Sequence, residues 1–365
     1  MKKLAISMVT LSSIFLLTAC GGNKETKDGT VALNGLQVKV VDGEYVQPYD
    51  MKTSSSKNGF LALQLKLKNT GDKSLTYSES DITLNSEDED LEPEHAYDST
   101  NKFKTIGYEK LSKGRSKTEY VVFEVDKSEK GYKLTIDPNT SEKADPIELK
   151  VNAKKYKDNT ENIRDLVDSY VKQTFLPGAE NADKKLSKDF TLANKIEEDQ
   201  KKYMDEFKKD IKNSCRYYQP SDADLEKIAK GYVDANSKRA KMEYTVKSYL
   251  PTSATITVKP SVINFDDMDL EGLANDYVEK HGNSSADYET KYKEAEKYIL
   301  ENLGSRYDSA AINTPKYMSG DGYDINISKD VDSGKWTVDS SDADLNYSYK
   351  DLIKPKHRWP GGSIW

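Results

Sequence analysis

Cysteine is nearly absent from this chain. Its 365 residues hold only Cys20 and Cys215, so at most one intrachain disulfide could form and no disulfide framework is available to staple the fold. Histidine is as scarce. His95, His281 and His357 lie far apart with no second imidazole near any of them, which leaves no ligand set for a transition metal. The patterns Gly-x-Ser-x-Gly, His-Glu-x-x-His and a phosphate-binding Gly-Lys loop are all missing. Positive charge is not in excess either. A formal charge of -7 gives no basic footprint for nucleic acid and argues against holding an anionic polymer by net charge alone. Beyond the N-terminus no apolar run approaches the roughly 20 residues that a membrane-spanning helix needs.

What is present begins with an export signal. Met1, Lys2 and Lys3 form a positive start, residues 4–17 are mostly apolar and uncharged, and Leu17-Thr18-Ala19-Cys20 closes the segment. That close resembles the lipobox of bacterial lipoproteins. The resemblance implies cleavage between Ala19 and Cys20 and a diacylglyceryl group on Cys20. It implies a chain anchored by lipid on the outer face of the cell membrane. Residues 21–30 carry Gly, Asn, Lys, Glu, Asp and Thr with nothing apolar, and are expected to form a flexible stalk. With Cys20 lipidated no intrachain disulfide remains, which suits a Gram-positive exterior. Two other readings of the segment are an ordinary secretory signal and, for residues 13–19, a source of a released peptide pheromone.

The body is long enough for two domains of ordinary size. It is 32% charged, and its 24 tyrosines far outnumber 8 Phe and 3 Trp, a composition suited to an exposed protein whose rings pack while their hydroxyls stay wet. Residues 31–153 alternate with period two. Leu36, Val38 and Val40 alternate with Gln37 and Lys39, and Leu61, Leu63, Leu65 and Leu67 alternate with Ala62, Gln64, Lys66 and Lys68. Further strands are predicted at 75–84, 103–108, 118–125, 132–136 and 147–151, separated by turn signals such as Lys113-Gly114 and Lys130-Gly131. About seven half-buried strands read as an antiparallel β-sandwich. Residues 61–84 (LALQLKLKNTGDKSLTYSESDITL) resemble the core signature of an immunoglobulin-like domain of unknown function common in Gram-positive lipoproteins. Leu111-Ser112-Lys113-Gly114 and Tyr120-Val121-Val122-Phe123-Glu124-Val125 are also typical of it. The resemblance implies an Ig-like sandwich and brings no catalytic residues.

Residues 158–346 change to the helical period, and an α+β domain with helices on a small antiparallel sheet is expected. Ile163, Leu166, Val167, Tyr170 and Val171 share one face of a helix that Phe175-Leu176-Pro177-Gly178 ends. A second helix is expected over 192–215, where Cys215 reads as a small buried apolar residue. Ser221-Asp222-Ala223-Asp224 reads as a capping-box start for a third. Strands follow at 240–249 and 254–263, then helices at 270–280 and 288–303, and a last hairpin at 323–328 and 335–340. This plan is similar to a second lipoprotein domain of unknown function that often follows the Ig-like one, with Gly334-Lys335-Trp336-Thr337-Val338-Asp339 as its last strand. Its layout suggests a cone of sheet and helix able to enclose a small ligand. Residues 347–365, with Lys354, Lys356, His357, Arg358, Trp359 and Trp365, read as a flexible tail.

Candidate chemistry is thin. The acidic stretch 86–94 (SEDEDLEPE) offers Asp88 and Asp90 to a hard cation, yet lacks the spacing and the glycine of an EF-hand and reads better as a solvated hairpin. Ser169 and Lys172 match Ser-x-x-Lys without the Lys-Thr-Gly partner of that chemistry. His281, followed by Gly282, suits the end of a helix. The sequence therefore points to no catalytic residue, no metal and no cofactor. It points to a non-enzymatic lipoprotein that binds a cell-wall component, a surface protein or another ligand. A small-ligand receptor, or an enzyme using a pocket in the α+β domain, is the alternative.

Overall fold

The structure is a computed structural model. It describes residues 24–339 apart from 27, 34, 99–101, 138–144, 183, 266–267, 283–284 and 316–321. Ala19, Cys20, His357, Trp359 and Trp365 lie outside the described residues.

The first part is two antiparallel layers. One sheet runs in the order β1 (Lys24–Glu25), β2 (Val31–Leu33), β3 (Leu36–Val46), β4 (Asn58–Asn69), β9 (Ser116–Asp126). The other is β11 (Ile147–Val151), β10 (Tyr132–Ile136), β6 (Ile82–Asn85), β7 (Asp90–Leu91), with β5 (Leu75–Tyr77) and β8 (Glu109–Leu111) pairing at one side. Leu61, Leu63, Leu65 and Leu67 of β4 point into the space between the layers with Val38, Ile82, Leu84, Phe123, Leu134 and Ile136, all fully buried.

Three expectations need correction. Lys24–Glu25 pairs with β2, so the stretch read as a stalk already carries a strand. Residues 103–108 are not a strand. They form a loop that Asp98 anchors by accepting the N–H of Phe103 at 2.8 Å, and Phe103 stacks on Tyr120 with ring centres 4.4 Å apart. The strand read over 75–84 breaks in two, because Ser78 and Asp81 cap each other around a 3-10 turn at Glu79–Asp81. Ser86 accepts the N–H groups of Asp88 and Glu89, and Asn85 pairs with Asp90, so the acidic stretch folds as a tight hairpin. Among the described residues no group of His, Cys, Asp or Glu is arranged to hold a metal.

The second part is mixed. Its sheet has the order β12 (Lys241–Leu250), β13 (Ser253–Ile263), β15 (Tyr323–Lys329), β16 (Trp336–Val338), with β14 (Ile312–Asn313) on the end of β13. Helices α1 (Thr160–Phe175) and α3 (Asp222–Arg239) pack on it, α2 (Ile196–Ser214) lies against both, and α4 (Leu270–His281), α5 (Tyr288–Asn302) and α6 (Gly304–Tyr307) complete the layer. The second helix starts at Ile196 rather than 192, because residues 191–193 run beside β16. Trp336 N–H bonds the carbonyl of Thr191, and Ala193 N–H bonds that of Trp336. Apolar side chains pack between the sheet and the helices. Ile256, Val258, Ile325, Trp336 and Val338 are fully buried there. Among the described residues no helix is long and apolar enough to cross a membrane.

The two parts meet over the first half of β4. Phe60 and Ala62 lie on the strand face opposite the leucines, and they are buried under Val46, Ala96, Phe103 and Leu250, the last from the tip of the β12–β13 hairpin. Tyr249 beside it pairs with Gln47 through two main-chain bonds of 2.8 and 2.7 Å. Its ring lies in the second core, 6.4 Å from Trp336, while its hydroxyl donates at 2.6 Å to Glu44, which also accepts from Asn159. Burial and then Glu44 push the hydroxyl's pKa well up, so it stays a donor. Glu44→Ala would remove the acceptor of this hydroxyl and leave it only Asn159, and is expected to lower stability by about 1–3 kcal/mol in denaturant titration. Tyr249→Phe should cost less. The double variant should be no worse than Glu44→Ala alone, and additive losses would disprove the coupling.

Candidate functional site

Helix α3 starts where Ser221 Oγ accepts the N–H of Asp224 and the Asp224 carboxylate accepts the N–H of Ser221. Acids in its first turn and Lys238 and Arg239 in its last suit the helix dipole. Leu225, Ala229, Tyr232, Val233 and Asn236 face the core. Another face, carrying Asp224, Lys227, Ile228, Gly231, Asp234, Ala235 and Lys238, borders a cleft of 330 Å³ shared with α5 and α6. Leu300 and Glu301 of α5, Gly304 and Tyr307 of α6, Tyr218 and Asp308 complete it.

Two locks hold this space open. The first fixes α6 to α3. A Cβ on Gly231 would lie 3.1 Å from the Tyr307 ring, so the bare glycine lets that ring approach the helix at the base of the cleft. Tyr307 donates to the carbonyl of Ile228 at 3.3 Å, and Arg239 reaches across to the carbonyls of Tyr307 and Ala310. The second lock is Glu296 of α5, which is buried. Its carboxylate accepts the main-chain N–H groups of Arg216, Tyr217 and Tyr218 at 2.9, 2.8 and 2.6 Å. Three donors on one carboxylate satisfy its charge away from water, and they set Tyr218 at the mouth of the cleft.

The floor is apolar and the rim ionic. Ile228, Gly231, Ala235, Leu300 and the Tyr307 ring form the base. Four carboxylates and two ammonium groups surround it. Asp234 pairs with Lys230 at 2.7 Å, and Glu301 lies 3.8 Å from Lys297, both exposed pairs of small worth. The hydroxyl of Tyr218 donates to Asp224 at 3.4 Å. Partial burial and then the negative charges of Asp224 and, further down, Glu301 raise its pKa. Ser221's hydroxyl and main-chain N–H hold the Asp224 carboxyl below the ordinary range. The lining holds no imidazole, thiol or aliphatic hydroxyl beside a base, so what it offers is apolar contact and fixed charge.

The residues that sequence reading singled out do not converge here. Ser169 is buried and donates to the carbonyl of Ala182, while Lys172 turns to Asp168 at 2.9 Å, so no nucleophile meets a base. His95 is exposed 3.9 Å from Glu79, and His281 stacks on Tyr277 at 5.0 Å. Cys215 is the residue after α2 and is buried. Its thiol donates to the carbonyl of Ile211, and burial and then Glu296 push its pKa to about 12. Of the cleft residues, the sequence marks Asp224 only as part of a helix cap. The one trace was Gly231, a glycine inside a helix, where it costs roughly 1 kcal/mol against alanine and so marks a close approach.

Residues 22–147 match the profile of a family described as a domain of unknown function (DUF4352). No curated protein matches the chain in sequence. Among solved structures, ycdA of Bacillus subtilis, named a "putative lipoprotein", is similar over 91% of this chain and 100% of its own, with a TM-score of 0.61 at 18% identity. A β-sandwich protein of Clostridium difficile covers 36% of this chain and 99% of its own at 12% identity, with a TM-score of 0.21. At such identities the ycdA likeness establishes a shared fold, and that fold runs through both the sandwich and the mixed part.

Glu296→Gln replaces one acceptor oxygen with an amide facing main-chain donors. It is expected to destabilise by about 1.5–3 kcal/mol on urea unfolding, and a loss below about 0.5 kcal/mol would show the lock to be idle. In a Cys20→Ser chain, Cys215 should resist a thiol-specific disulfide reagent at pH 8 while folded and react at once in denaturant. Fast reaction of the folded protein would contradict its burial.

Proposed function

We propose that the chain is a non-enzymatic lipoprotein of a Gram-positive cell, held on the outer face of the cytoplasmic membrane through Cys20. It binds a ligand there in the cleft between α3 and α5–α6. The sandwich is in this reading an immunoglobulin-like domain that ends near residue 153, and the mixed domain begins near 158. The observation that carries the binding role is the cleft itself. It is a concave space of 330 Å³ with an apolar base and a charged rim, within the range of small-ligand sites. The address rests on Leu17-Thr18-Ala19-Cys20, and the printed name of ycdA supports it.

Both halves of the reading can be tested. Labelled fatty acid fed to cells should appear on the protein and vanish in Cys20→Ala, with the variant released to the medium. Label persisting in the variant would rule out this anchor. For the cleft, a Cβ on Gly304 meets nothing within 4 Å, so Gly304→Trp should fill the space while leaving the thermal midpoint close to that of the parent. Fragments that bind the parent in ligand-observed NMR should lose their signal in this variant. Fragments that bind both chains equally would place binding elsewhere.

A further inference from the structure

The charges around the cleft are unequal, and they are placed unequally. Four carboxylates, Asp224, Asp234, Glu301 and Asp308, face two ammonium groups, Lys227 and Lys238. At the end nearest the start of α3, Asp224 and Glu301 line the cleft together with Tyr218. The hydroxyl of Tyr218 is bonded to Asp224, and both carboxylates act on it. A ring and two carboxylates lining the same end of a cleft attract an organic cation, by charge and by the ring quadrupole. From that end the base runs on along Ile228, Gly231, Leu300 and Tyr307, which present carbon and a flat ring rather than polar groups.

We propose that the cleft takes a small organic cation, a primary or quaternary ammonium compound with an apolar or aromatic body. The ammonium group sits between Asp224 and Glu301 against Tyr218. The body lies over Gly231 and the Tyr307 ring. The proposal deepens the binding role assigned above and rests on it. Two features of the site favour a cation over an anion or a neutral ligand. Asp224 is held ionised by the Ser221 cap, so its charge is present without a ligand. Glu301 lies 3.8 Å from Lys297 in an exposed pair, that lysine also acts on Asp224, and a ligand ammonium can take its place at little cost. An anion would have to approach the Tyr218 end against both carboxylates.

Three probes with one body separate the possibilities: 3-phenylpropylamine, 3-phenylpropanol and 3-phenylpropionate. They would be titrated into the polypeptide from residue 20 onward carrying Cys20→Ser, at low ionic strength, by ligand-observed NMR and calorimetry. The amine should bind at least tenfold more tightly than the alcohol, and the acid should not bind measurably. Glu301→Gln, which removes one carboxylate and no contact that the fold needs, should weaken the amine about tenfold and leave the alcohol unchanged. Gly304→Trp should abolish binding of every probe. Equal binding of amine and alcohol, or a Glu301→Gln chain that binds the amine as before, would overturn the choice of a cation while leaving the cleft as a binding site. Binding of the acid in preference to the amine would do the same. Failure of all three probes, with no response to Gly304→Trp, would overturn the cleft as a site and the cation with it.

Discussion

Tyr249 packs in the core of the mixed part and bonds to the sandwich, and the relation between the halves of the molecule depends on it. Its main chain extends the edge of the sandwich at Gln47, and its ring is packed beside Trp336. Its hydroxyl is satisfied by Glu44 of the sandwich. A residue satisfied from both sides cannot be released by one half without leaving a polar group dry in the other. Leu250 adds an apolar contact with Phe60 and Ala62, and Lys127 with Asp158 closes the same seam at 2.6 Å. The hairpin tip is thus a rivet rather than a loop, and it makes the sandwich a platform for the mixed part.

Much of this architecture could be read from the chain. The Leu61, Leu63, Leu65, Leu67 alternation is dictated by a strand with one face in a core, and β4 follows it. The Ser221 capping box, the face of Ile163, Leu166 and Tyr170, and the hairpin turning at Asp330–Gly334 are local signals obeyed locally. The same alternation even carried a hint of the seam, since Phe60 and Ala62 are apolar on the face where Lys66 and Lys68 are not. What could not be read came from distant partners. Residues 103–108 have the composition of a strand, but Asp98 and the ring of Tyr120 hold them as a covering loop. Leu192 fits a helical pattern, and nothing nearby in sequence shows that Trp336 claims its neighbours' main chain.

The cleft was illegible for the same reason. It exists because Gly231 admits Tyr307 and because Glu296 gathers the main chain of residues 216–218, and both partnerships join segments far apart in the chain. Neither residue type announces such a role. A buried glutamate among 62 acidic residues, or one glycine among 20, becomes distinctive only once its neighbours are known. The motifs that did stand out, Ser169 with Lys172 and the acidic hairpin, serve as internal hydrogen bonds and as a turn.

The strand at Lys24–Glu25 has a consequence for distance from the bilayer. Three residues separate Cys20 from Lys24, where the first strand starts, and the four residue steps between them span at most about 14 Å. With Cys20 as the proposed anchor, the sandwich would lie within reach of the lipid headgroups. The rivet at Tyr249 then passes that restriction on to the second half. Such a tether would limit how far the cleft can stand from the bilayer rather than which way it faces.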